Sequence, residues 1–154
     1  MLITTSRNAD ISQKRFCKYF AMFFPEVKHI PRGQHQLRKL FEKASYLGDD
    51  FLLIVGRKKR NLELMVYKRK ETSFFPDRSF ILTDIFYKKP KDKIISASAK
   101  GNFFYFLEKT DSDSEIKATQ KENEVVFKIK NEILFSFKIL CEEKQWLVLL
   151  LKKN

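Results

Sequence analysis

Apolar positions change their period near the middle of the chain, and each half predicts its own set of elements. Residues 1–5 are apolar and β-prone, and Ser6-Arg7-Asn8-Ala9-Asp10 breaks that run. Phe16, Tyr19, Phe20 and Phe23 then recur at the spacing of one helix face, Lys14 and Lys18 fall on another, and Pro25 ends the pattern. Asp10 with Gln13 three positions on predicts a capping box at the helix start. Residues 27–30 read as a short strand and Pro31-Arg32-Gly33 as a turn. Leu37, Leu40, Phe41, Ala44 and Leu47 mark a second helix that Gly48 stops, with Arg38, Lys39, Glu42 and Lys43 off its apolar stripe. The unbroken apolar run 51–55 predicts a strand covered on both faces. A basic turn over 56–61 leads to a further strand over 62–67. The order is β-α-β-α-β-β.

Beyond residue 70 the period becomes two. Strands are expected over residues 79–87, 93–99, 102–108, 124–130, 133–140 and 145–151. Lys100-Gly101-Asn102 and Lys130-Asn131-Glu132 suit hairpin turns, and the polar stretch 110–123 suits a loop or a short helix. The expected class is therefore α/β (α+β). One domain, 1–154, would consist of a basic α/β half over about 1–72 and a strand-rich half over about 73–154, meeting near Phe75-Pro76-Asp77.

Composition adds the partner. With 44% apolar and 32% charged residues but only four Gly and four Pro, the chain can bury a core and is neither disordered nor linker-like. Its formal charge is +12, which predicts a polyanion, nucleic acid ahead of a membrane surface. Residues 1–70 hold 16 basic and 6 acidic side chains against 15 and 13 in residues 71–154, and of eight arginines only Arg78 follows residue 70. Arginine grips phosphate in two-pronged fashion and stacks on bases, so the polyanion site belongs to the first half.

Candidate chemistry is sparse. His29 and His35 flank the Pro-Arg-Gly turn at no metal or triad spacing, and Cys17 and Cys141 lack partners at zinc-ligand spacing, so no metal, cofactor or catalytic residue is expected. Asp111, Asp113 and Glu115 alternate without the Gly and closing Glu of a calcium loop and read as solvated. The apolar run 146–151 is far short of the roughly 20 residues that span a bilayer. No basic region precedes Leu2, so no signal peptide is expected, and a reduced, soluble cytoplasmic protein is the simpler reading. Thr4, Thr5, Ser6 and Arg7, where a strand gives way to a helix, suit a phosphate. So does the cluster Arg57-Lys58-Lys59-Arg60, followed by Lys68 and Arg69 at the end of the next strand. Phe74 and Phe75 are candidates for exposed stacking.

Leu2-Ile3-Thr4-Thr5-Ser6-Arg7 ahead of a helix resembles the opening of archaeal Brix-domain proteins. The resemblance continues through Ile30-Pro31-Arg32-Gly33, similar to that family's sigma-factor-like turn, the helix of Leu37, Leu40 and Ala44, Gly48-Asp49-Asp50, and the apolar strand 51–55. Pro31 stands where the family's turn has Asn, and Arg57-Lys58-Lys59-Arg60-Asn61 where it often has Gly-Pro. The resemblance implies two α/β halves, each similar to the anticodon-binding domain of class II aminoacyl-tRNA synthetases. It also implies a non-catalytic ribosome biogenesis factor that binds precursor ribosomal RNA. Phosphate contacts are expected from Arg7, Arg32, Arg38, Lys39, Arg57, Lys58, Lys59 and Arg60, with Gly33, Lys68 and Arg69 beside them and donors from Thr4, Thr5 and Ser6. The alternative is a protein-interaction module docking to ribosomal proteins or assembly factors through the second half.

Overall fold

A computed structural model describes residues 1–91, 96–107 and 113–144. Within them the first half follows the expected order: β1 (Leu2–Thr5), α1 (Ile11–Phe23), β2 (Lys28–His29), α2 (Leu37–Tyr46), β3 (Phe51–Lys58) and β4 (Asn61–Lys70). The rest is strand-rich: β5 (Ser73–Tyr87), β6 (Ala97–Lys100), a single 3-10 turn (Asn102–Phe104), β7 (Ile116–Lys121), β8 (Glu124–Ile129) and β9 (Glu132–Lys144). All nine strands join one mixed sheet in the order β2-β1-β3-β4-β5-β9-β8-β7-β6. β1 runs parallel to β2 and β3, β6 parallel to β7, and the remaining neighbours are antiparallel.

The sheet curls around α1. Phe16, Phe20 and Phe23 bury themselves against Ile3, Leu53 and Val55 of the first strands and also against Phe127, Phe135 and Phe137 of β8 and β9. Phe23 lies 4.6 Å from Phe127 and Phe16 lies 5.5 Å from both Phe135 and Phe137, ring centre to ring centre. α2 covers the other face, where Leu40 and Ala44 meet Leu2, Leu52, Ile54 and Phe74. Alternate residues of β3 thus face different helices, which is why its run of apolar residues is unbroken.

Several expectations need correcting. β3 continues through Arg57 and Lys58, so the basic turn shrinks to Lys59-Arg60, with Lys59 left-handed at φ +56°. Phe75-Pro76-Asp77 is part of β5, and Pro76 sits beside the register shift of β4 between Val66 and Tyr67, a place that tolerates a missing N–H. Phe74 is buried under α2; Phe75 is half exposed. Residues 102–107 turn instead of forming a strand: Phe103, Phe104 and Phe106 all enter the same core, whereas a strand would send adjacent Phe103 and Phe104 to opposite faces. Residues 116–121 form β7 and no loop or helix, with Ile116 and Ala118 inward and Lys117 and Thr119 outward, an alternation too short and polar to stand out. Of the strand expected over 93–99, residues 97–99 belong to β6, while 93–95 lie outside the described residues, as do 145–151 and Asp111.

Lys100-Gly101-Asn102 is likewise no hairpin, because β6 and β7 are parallel. Gly101 is needed there for closeness: its φ is +134°, a Cβ would lie 2.5 Å from that of Gln120, and the adjoining Phe103 N–H donates to Gln120 Oε1 at 2.7 Å. Gly101→Ala is expected to destabilise the fold by roughly 1–3 kcal/mol. A urea midpoint equal to wild type would refute this.

The thiols are free: Cys17 is buried in the core, which pushes it up to about 12, and Cys141 is exposed. Among the described residues no three His, Cys, Asp or Glu side chains gather as a metal set, and no helix is long and apolar enough to cross a membrane. His29 is half-buried in β2, where burial first and then Lys18 lower its pKa; His35 is exposed in the loop before α2.

Candidate nucleic-acid interface

Parallel pairing of β1 with β3, from Leu2 opposite Leu52 to Thr5 opposite Val55, brings both carboxyl ends to one edge of the sheet. Both helices start near that edge, since each returns the chain to the opposite end of the strands. Ligands of open α/β sheets collect at such edges.

The helix start is built from Asp10 and Arg57. Asp10 Oδ1 accepts from the Gln13 N–H at 3.1 Å, and the Gln13 side chain accepts from the Asp10 N–H, which completes the capping box. Gln13 Nε2 also donates to Ser6 Oγ at 2.8 Å and to the Val55 carbonyl at 3.1 Å. Arg57 donates through Nη2 to the Asp10 carboxylate and to Ser12 Oγ, and through Nη1 to the Arg60 carbonyl at 3.1 Å. The Ser12 hydroxyl foremost, helped by the Gln13 N–H and Arg57, holds the Asp10 carboxyl down at about 2 against burial, which pushes the other way more than either helper alone. A carboxyl whose folded pKa is depressed contributes stability above its unfolded value, near 3.8, that is lost as pH falls through about 2. Asp10→Ala is therefore expected to cost about 1 kcal/mol at pH 7 and less at pH 2. Thermal unfolding at both pH values checks this, and an equal loss at each would contradict it.

Arg7 and Arg32 form the second part. Arg7 is exposed just past β1, and half-buried Arg32 follows β2. Burial first and then the charge of Arg7 push the Arg32 pKa down, with Tyr67 opposing. Arg32 Nε is buried without a hydrogen-bond partner among the described residues, and neither arginine has an ion pair there. Two repelling guanidiniums, one with an unused donor, make a place where an anion would be stabilised. Gly33 takes the left-handed φ of +53° that the turn after Arg32 requires. Arg38 and Lys39 follow in the first turn of α2, whose N-cap Gln36 offers no side-chain bond, so the positive helix end is uncompensated. Arg38 pairs with Glu42 at 2.9 Å, an exposed contact worth little.

The remaining candidates separate. Lys59 and Arg60 stand at the β3–β4 tip without an ion pair among the described residues, whereas Lys58 is paired with Glu143 at 3.0 Å. Lys68 is opposite Phe51 and so lies at the far end of β3, with its ammonium 5.9 Å from the Phe51 ring. Arg69 there bonds Asp50 at 2.8 Å. Thr4 and Thr5 are buried strand residues, and the Thr4 hydroxyl donates to the Ile30 carbonyl at 2.7 Å. The Thr4 donor is thus already used and Thr5 is shut away from solvent; Ser6 is half-buried and already bonded to Gln13. Of the sequence candidates at this edge, Arg7, Arg32, Lys39, Lys59 and Arg60 thus have no ion pair among the described residues. Sequence reasoning missed Tyr67, although the alternation of β4 sets it on the α2 face with Met65.

No protein-family model and no curated protein sequence matches this chain. Solved structures do. A probable ribosomal biogenesis protein from Aeropyrum pernix K1 superposes with a TM-score of 0.64 at 17% identity, covering 89% of this chain and 92% of that one. Mil, an archaeal Imp4-like protein, gives 0.68 at 14% identity over 94% and 99%. The chain has the Imp4-like fold. The resemblance of residues 1–70 to Brix-domain proteins points to the same kind of protein, and nearly the whole chain takes part in the likeness, as one nine-stranded sheet. At such low identity, the likeness concerns the fold, not particular residues.

Proposed function

We propose that the protein is a Brix-type ribosome biogenesis factor that binds precursor ribosomal RNA and assists its processing and subunit assembly without catalysing a reaction. The observation that carries this reading is the placement of Arg7 and Arg32 just past the ends of the adjacent parallel strands β1 and β2, two cations without a counter-ion among the described residues, at the carboxyl edge of an Imp4-like sheet. Arg38, Lys39, Lys59 and Arg60 extend the positive edge on either side. Among proteins of like fold are a probable ribosomal biogenesis protein and an Imp4-like protein, which favours this substrate over other polyanions. Structured RNA is held mainly through phosphates, 2′-hydroxyls and shape, with bases read where they are unpaired. A factor of this kind steadies an RNA fold and leaves its covalent bonds unchanged. Cytoplasmic action fits an archaeal protein of this type.

A second reading, docking to ribosomal proteins or other assembly factors, is favoured by Leu140 and Phe86 on β9 and β5, which are 63% and 48% exposed. Both contacts can coexist on one protein. The deciding experiment is a salt series of binding to precursor ribosomal RNA, an unrelated RNA and duplex DNA. Tight binding to the precursor with a steep salt dependence supports the RNA reading. Equal, weak binding to all three would move the protein-docking reading ahead.

A further inference from the structure

We propose that the cleft between the β3–β4 hairpin and the irregular segment of β5 receives one unpaired nucleobase of the bound RNA, with Arg60 on its phosphate. This inference rests on the RNA reading above and gives the charged edge a base-reading part. The cleft measures about 270 Å³, slightly below the roughly 300–1,000 Å³ of sites for drug-sized ligands, and it suits a single nucleoside.

Four independent features meet there. Its floor is apolar: Leu62, Leu82 and Ile85 offer a surface against which a flat base can lie. Asn61 on the rim carries both an amide donor and an acceptor, which is what the Watson–Crick edge of any base needs. Arg60, also lining the cleft, has no ion pair among the described residues, whereas its neighbour Arg57 is committed to Asp10. Finally, Tyr87 lines the cleft and its hydroxyl is buried without a hydrogen-bond partner among the described residues. Buried unpartnered hydroxyls are few in proteins and call for an explanation. Arg15 lies over the Tyr87 ring at 4.4 Å, so a second cation stands close by.

The backbone is shaped for this opening. β5 carries one residue more than β9 between Thr83 and Phe86, and Asp84 in that bulge is left-handed at φ +50°. Bulges gather beside binding sites because they re-aim side chains. Asp84 and Thr83 both line the cleft. The distorted segment of β5 is therefore the segment that forms one cleft wall.

The test uses single-stranded RNA 10-mers and the same backbone with abasic residues, bound to wild type, Thr83→Trp and Arg7→Ala. Thr83 is half-buried and a Trp there fills the cleft without removing a cation. Wild type is expected to prefer base-bearing RNA by about tenfold, as one stacked base provides. Thr83→Trp should lose that preference and keep its salt dependence; Arg7→Ala should weaken both ligands together and keep the ratio. Thr83→Trp folding is checked by its thermal transition. As a measurement independent of any variant, uridine and adenosine 5′-monophosphates should shift the Thr83 and Asp84 amide resonances of wild type, and ribose 5-phosphate should not. RNA binding with equal affinity for abasic and base-bearing chains would overturn the cleft while leaving the RNA reading standing. No binding to either chain at low salt would overturn both.

Discussion

Phe20→Ala is expected to remove roughly 3–5 kcal/mol of stability, as truncation of a fully buried core Phe does. Phe20 is fully buried on α1, and its ring lies 5.3 to 6.4 Å from Phe24, Phe16, Phe106, Phe103 and Phe127. The truncation removes apolar surface and leaves a hole lined by rings from three separate stretches of chain, which cannot all close on it. Domains of this size hold only about 5–15 kcal/mol in total, so about a fifth or more disappears. Urea unfolding reads the loss as a lowered midpoint with an unchanged slope. Ile11→Ala, at a site 83% exposed on the same helix, should stay within about 0.5 kcal/mol of wild type. A Phe20→Ala cost below about 1 kcal/mol would mean that α1 does not hold the curled sheet together.

The second large effect concerns RNA. Arg7→Ala/Arg32→Ala should weaken binding by about tenfold to a hundredfold at moderate salt and flatten the log–log salt slope by about 1.4, near 0.7 for each phosphate left unneutralised on a single strand. Lys68→Ala, at the opposite end of β3, should change neither quantity more than about twofold. The same double substitution is expected to leave thermal stability equal or higher. It relieves two repelling cations and removes a buried donor that has no partner among the described residues of the free protein. Lost affinity with retained stability marks a binding role, because a purely structural arginine would lose stability when truncated. Unchanged affinity would remove the Arg7–Arg32 pair from the interface.

Much of the first half was legible in the sequence because local and tertiary preferences agree there. Asp10 and Gln13 cap the helix they announce, the Phe16–Phe23 stripe is the face that packs, and the unbroken run at the start of β3 is covered by two helices. The second half hides its layout. Ala118 and Ile116 are the only inward residues of β7 that the sequence offers in a polar stretch, and the turn of Phe103 to Phe106 looks like a strand until its rings converge. The basic edge was legible as composition and only partly as geometry. Counting charges cannot distinguish Arg57, consumed by Asp10 forty-seven positions away, from Arg60 three residues on, which is unpaired among the described residues. Nor can it show that Thr4 and Thr5 point into packed layers, since β1 gains its cover from segments distant in sequence.

The sharing of α1 between the two ends of the sheet opposes the order of synthesis to the order of burial. α1 is complete at Phe23, yet Phe127, Phe135 and Phe137, which close over it, are made about a hundred residues later. At roughly 5–20 residues per second that is a delay of about 5–20 s, during which an aromatic helix face lacks the rings of β8 and β9 that complete its cover. Such a nascent chain is sticky for most of its synthesis and depends on early collapse or on a chaperone. Truncation anywhere before β8 is then expected to give insoluble protein, not a smaller folded domain.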